Sequence, residues 1–148
     1  MFKIKQKYTD FEGHEREEDL YFNFTEPQLR EFLDKDPSFT EKNLANLIAT
    51  KDVKQMLEAL QKLIIAAYGE KSADGKVFKK NTEITENFAC SAAFAQLMDD
   101  IMYKNDEEMV KNFMINIFPA KFASTMRDEM NKATAQIETE KVAGEIVG

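Results

Sequence analysis

Residues 2–8 read Phe2-Lys3-Ile4-Lys5-Gln6-Lys7-Tyr8, and residues 19–24 repeat the pattern as Asp19-Leu20-Tyr21-Phe22-Asn23-Phe24. In the first stretch Phe2, Ile4, Gln6 and Tyr8 share one side of a period-two alternation and Lys3, Lys5 and Lys7 the other. In the second, Leu20, Phe22 and Phe24 oppose Asp19, Tyr21 and Asn23. This is the signature of two half-buried strands. The polar stretch from Thr9 to Arg16, with Gly13 inside it, supplies the turn of a β-hairpin. An isolated hairpin is marginal in water, so its face of Phe2, Ile4, Tyr8, Leu20, Phe22 and Phe24 requires cover from helices. On the other face the lysines meet Glu17 and Asp19, each cross-strand pair contributing ~0.2–1 kcal/mol.

Working outward, Thr25-Glu26-Pro27-Gln28 has the form of a capping box with proline in the first turn, which starts a helix striped by Leu29, Phe32 and Leu33. Thr40 is positioned to cap a short second helix bearing Leu44, Leu47 and Ile48. The spacing of Val53, Met56, Leu57, Leu60, Ile64 and Ala67 predicts a third, stopped by Gly69 at C′. Residues 69–82 are polar and read as a loop, with at most a short extended piece at Val77-Phe78. A fourth helix is expected from a cap at Thr85 to about Tyr103, with Phe88, Ala92, Ala95, Met98, Ile101 and Met102 on one face. A fifth, capped by Asp106, carries Met109, Val110, Phe113, Met114 and Ile117 as far as Pro119. A sixth follows with Phe122, Met126, Met130, Ala133 and Ile137. The expected fold is therefore mostly α: an N-terminal β-hairpin packed on a bundle of about five to six helices. Residues 1–118 form the hairpin-plus-helix core domain. Residues 119–148 form a C-terminal amphipathic helix and tail, either part of that domain or a partner-binding extension.

A chain of 148 residues is long enough to bury roughly 70% of its unfolded surface in one core. The lone Cys90 sits among small residues in Phe88-Ala89-Cys90-Ser91-Ala92-Ala93 and reads as part of a buried, inert helix face, with no Lys, Arg or His within four positions to activate it. The N-terminus lacks the basic-then-apolar plan of a signal peptide, and the longest apolar run, Leu63 to Tyr68, is far too short for a membrane span. Twenty-seven acidic against twenty basic residues give a net charge of −7, which disfavours nucleic acid.

No residue pattern carries catalysis. His14, the single histidine, lies in the hairpin loop beside Glu12 and Glu15, and one histidine with one distant cysteine makes neither a triad nor a metal site. Asp99-Asp100 and Glu107-Glu108 diverge by about 100° on a helix, so they suit a solvated face better than paired-carboxylate chemistry. The loop from Gly69 to Lys76 misses phosphate-loop spacing, with Val77 where a hydroxyl is needed. Its Lys71, Lys76, Lys79 and Lys80 are the one local excess of positive charge. No enzyme activity, cofactor or metal is expected.

Eight methionines and twelve phenylalanines fall mostly at core spacing. The sixth stripe is the exception. Phe122, Met126 and Met130 lie at i, i+4 and i+8, drifting only about 40° per step, and form a narrow apolar seam following Phe118. Flexible methionines flanked by charge accommodate varied apolar helices. Phe118, Phe122, Met126 and Met130 are thus the candidate partner-binding residues, the other reading being that this helix is the last core element.

Three stretches together resemble the tail-assembly chaperones encoded by tailed phages of Gram-positive hosts. They are the hairpin from Tyr8 through Thr25, the segment Ala67-Tyr68-Gly69-Glu70-Lys71-Ser72-Ala73-Asp74-Gly75-Lys76-Val77-Phe78, and Phe88 with Ala92-Ala93-Phe94 followed by Phe113 through Pro119. The resemblance spans about Lys3 to Pro119. It implies a host-cytoplasmic protein, absent from the mature virion, that binds the tape-measure protein and helps recruit tail-tube subunits, with homo-oligomers possible and no nucleic-acid or membrane partner. Two other classes compete: a structural tail or neck component of the virion, and a small acidic inhibitor suggested by the net charge alone.

Overall fold

The computed structural model describes residues 1–36, 39–40, 43, 53–104, 112–113, 115–125, 127–128 and 131–132. The alternating stretches form strands β1 (Phe2–Thr9) and β2 (Glu15–Phe22), paired antiparallel with Phe2 opposite Phe22, Ile4 opposite Leu20 and Lys5 opposite Asp19. Lys3 lies 3.7 Å from Asp19, and Lys5 and Lys7 lie 3.6 and 3.9 Å from Glu17. The exposed face is therefore the charge ladder expected from the alternation.

The hairpin is only half of the sheet. After helix α1 (Glu26–Lys35) and helix α2 (Val53–Ala67), the chain passes directly into β3 (Tyr68–Lys71), which pairs antiparallel with β2 through Tyr21 opposite Gly69 and Phe22 opposite Tyr68. It then returns as β4 (Phe78–Lys79), completing a four-stranded sheet in the order β1-β2-β3-β4. Helices α3 (Thr82–Ala89) and α4 (Ala92–Lys104) follow. The fold is α+β, and the expected hairpin on a bundle of five to six helices is corrected to a four-stranded antiparallel sheet with helices packed on it. Residues 112–113, 115–116, 120–125, 127–128 and 131–132 are also helical. The body of the expected second helix lies outside the described residues, although the Thr40 hydroxyl does accept from the Asn43 amide at 3.1 Å.

Gly69 is not a helix stop. Among the described glycines only Gly13 and Gly75 have positive φ, and Gly69 lies within a strand. There a Cβ would meet the Phe78 ring at 2.8 Å and the Lys79 carbonyl at 2.9 Å. Glycine lets β4 close on β3, a requirement of sheet packing that from sequence looks like punctuation.

The expected fourth helix is two. The Asn81 side chain, not Thr85, caps α3 by accepting from the Ile84 amide at 2.8 Å. That helix ends at Cys90, after which the Ser91 hydroxyl accepts from the Phe94 amide at 3.1 Å and donates to the Phe88 carbonyl at 2.7 Å. Serine's ability to bond local backbone allows a break with neither glycine nor proline. Cys90 is consequently exposed, which corrects its expected burial.

The capping box at α1 is complete. The Gln28 amide donates to the Thr25 hydroxyl, and the Gln28 side-chain oxygen accepts from the Thr25 amide at 3.0 Å. Thr25→Ala should lower stability by about 1 kcal/mol, measured by urea denaturation.

Two aromatic clusters organise the core. Phe22 meets Tyr68, Phe88 and Phe113 edge-on at 5.9, 5.9 and 5.2 Å, while Tyr68 and Phe88 stack at 3.8 Å. Phe24 stacks on Phe118 at 5.7 Å and leans on Phe32 at 5.5 Å. Phe22, the last residue of β2, and Phe24, two residues beyond it, thus each feed one of the clusters. Gln6, the buried polar residue of β1, donates to the Asp100 carboxylate at 2.9 Å, tying β1 to α4. Toward the β1–β2 turn the cover thins: Glu15 through Asp19 are all exposed, while Tyr8, opposite Arg16, still packs on the core.

Candidate functional site

The corner where β2 runs into α1 is built on the backbone. The Asn23 amide donates to the Ala67 carbonyl at 2.9 Å and the Phe24 amide to the Ile117 carbonyl at 2.7 Å. These bonds bring residues 117–125 alongside α1. The Ala123 amide bonds the Pro119 carbonyl at 2.9 Å, and Ala123 is buried, while Lys121, Ser124 and Thr125 are exposed. The segment packs one side onto the core and leaves the other free.

Between α1 and this segment runs a groove of about 270 Å³, lined by Leu29, Leu33, Pro119 and Phe122, with Glu26, Arg30, Lys121 and Thr125 around it. Phe118 and Phe122, both candidate partner residues, are in ring contact at 4.7 Å. They differ in position. Phe118 is buried and supports Phe122 from below, whereas Phe122 is partly exposed and forms a wall of the groove. Met126 and Met130 lie outside the described residues. Leu29 and Leu33 were assigned to the core from helical spacing, and the groove they help form could be found only once residues 119–125 were placed beside them.

The second feature of the corner is Lys80. Its ammonium donates to the Asn23 carbonyl at 2.5 Å and to the Gln28 side-chain oxygen at 3.2 Å, and it lies 4.6 Å from the centre of the Phe24 ring. Gln28 is the same residue that completes the α1 capping box, so Lys80 ties β4 to the entry of α1. Of the basic residues Lys71, Lys76, Lys79 and Lys80, it is the one turned to hydrogen bonds with distant parts of the fold. Burial pushes its pKa down to about 8. Below pH 8 the folded and unfolded chains both hold this proton, and the contribution to stability is flat. Between about 8 and 10.5 the unfolded chain binds more proton than the folded one, so stability rises with pH and then levels. A neutral amine keeps two N–H groups, enough for both oxygens. Wild-type stability minus that of Lys80→Met should therefore climb across pH 8–10.5 in parallel denaturation series. A flat or falling difference contradicts this.

The β1–β2 turn is held by Asp10. One carboxylate oxygen accepts from the Glu12 and His14 amides at 2.9 Å each, and the other accepts from the Arg16 guanidinium at 2.7 Å. The bond from Arg16 holds the Asp10 carboxyl below the usual carboxylate range. His14 is exposed and 3.6 Å from Asp10. Among the described residues no group of three or more His, Cys, Asp or Glu side chains could hold a metal ion. In the same set no helix is long and apolar enough to cross a membrane.

The family described as phage tail assembly chaperone matches residues 1–146. The chain belongs to that family. The match takes in both the sheet and the segment after Pro119, where the resemblance in individual residues ended. No curated protein and no solved structure matches this chaperone.

Proposed function

We propose that the chain binds the tape-measure protein of its phage, keeps that long apolar client soluble in the host cytoplasm, and helps recruit tail-tube subunits to it. It does so without catalysis and leaves before the virion is complete. Residues 119–148 act as the partner-binding part of the molecule. The observation that carries this reading is Phe122, partly exposed on the wall of an apolar groove and leading, by helical spacing, to Met126 and Met130. An amphipathic helix docks on another helix through i, i+4 anchors of this kind.

The test is co-expression of the full chain with the tape-measure protein of the same phage. Phe122→Ser should reduce the tape-measure protein recovered in the soluble complex by at least tenfold, with the helical circular dichroism of the chaperone retained. Undiminished recovery would remove the seam from client binding. Stoichiometric presence of the chain in purified particles would overturn the assembly role in favour of a structural one.

A further inference from the structure

The groove between α1 and residues 119–125 has an asymmetric rim. On the α1 side Glu26 and Arg30, one turn apart, bond each other at 2.9 Å, so the charges on that side cancel. On the opposite side the Thr125 hydroxyl turns back to the Lys121 carbonyl at 3.3 Å, while Lys121 is exposed and has no ion pair among the described residues. The apolar walls are thus flanked by one uncompensated cation.

Helix stability does not call for that cation. The helix that carries it starts at residue 120, so Lys121 stands in a first turn, where the helix dipole favours carboxylates and disfavours lysine. Helices α1 and α3 keep to that rule, opening with Glu26 and Glu83. A residue set against its local preference without a compensating contact points to a partner outside the fold.

We infer that Lys121 is a specificity-determining residue: the groove takes a client segment that presents a carboxylate within one helical turn of its apolar anchor, and discriminates against one that presents lysine or arginine there. This rests on the groove being the client site, as proposed above. The anchor fills the space between Leu33 and Phe122, and the carboxylate meets Lys121 at the rim. An exposed ion pair contributes up to about fivefold in affinity and a like-charge pair costs a similar factor, so exchanging one for the other changes binding by about tenfold. Charge at a rim sorts partners more than it tightens them. A plain polyanion is not the occupant, because it offers nothing to the apolar walls and meets the field of a chain of net charge −7.

The test uses the full chain and synthetic peptides that tile the tape-measure protein of the same phage in helix-length pieces, with binding read by fluorescence anisotropy at low salt. The tightest peptide should carry Asp or Glu within one turn of a large apolar residue, and replacing that acid by lysine should weaken binding about tenfold. Lys121→Glu, at an exposed position, should reverse the ranking and bind the lysine peptide better than its parent, a rescue that a structural role for Lys121 would not produce. In about 1 M salt, where charges are screened beyond roughly 3 Å, the preference should vanish while binding through Phe122 remains. If the wild type holds no peptide, or if Phe122→Ser holds them equally well, client binding leaves the groove and the selection goes with it. If Phe122→Ser loses the peptides but wild type and Lys121→Glu rank the pair alike, or if the preference survives high salt, the selection alone is overturned.

Discussion

Phe22→Ala should destabilise the fold by about 3–5 kcal/mol, the largest effect expected of any single truncation here. The side chain has no exposed surface and touches rings from three other parts of the chain, Tyr68, Phe88 and Phe113. Removing it leaves Tyr68 and Phe88 stacked beside a void, and the sheet cannot collapse into that space because β1 and β3 are fixed to β2 by backbone pairing on both sides. Urea denaturation followed by far-ultraviolet circular dichroism measures the shift. A mutant that unfolds at the wild-type midpoint would mean that the hairpin is not part of the core.

Gly69→Ala is expected to cost about 1–3 kcal/mol, although it adds a single methyl group. The new Cβ would lie 2.8 Å from two atoms of the Phe78 ring and 2.9 Å from the Lys79 carbonyl oxygen. The ring can rotate away, but the carbonyl belongs to β4 backbone and moves only if that strand moves. The two parts of the cost are separable in a double-mutant cycle. Gly69→Ala with Phe78→Ala should destabilise by less than the sum of the single changes, because the ring clash is lost, while the backbone part persists. Strict additivity would show that the ring is not what the methyl group meets.

Where the sequence could be read depended on how local the controlling interaction was. The β1–β2 hairpin, the α1 capping box and the lysine–acid ladder are set by residues close in sequence or by strict alternation, and all three stand as expected. β3 was missed because four residues, Tyr68-Gly69-Glu70-Lys71, carry no alternation of their own and become a strand only by pairing with distant Tyr21 and Phe22. The break at Cys90-Ser91 was missed because serine stops a helix by hydrogen bonding, without the backbone restrictions of glycine or proline. At the candidate site, spacing alone singled out Phe122, which the structure places on a groove wall. The groove itself was not legible, since Leu29 and Leu33 are brought to it by the bond from Phe24 to Ile117, which no local pattern encodes.

That bond between the Phe24 amide and the Ile117 carbonyl has a bearing on how the protein is born. A ribosome releases the hairpin and α1 early, but the second aromatic cluster cannot close until Phe118 has left the exit tunnel. Until then Phe24 and Phe32 lack the wall that Phe118 supplies, and the nascent chain holds an open apolar corner. Closure of contacts this distant in sequence is slow relative to helix or hairpin formation. Ribosome-bound chains arrested before Phe118 emerges should therefore be digested readily by protease around α1, and those arrested well beyond it should resist.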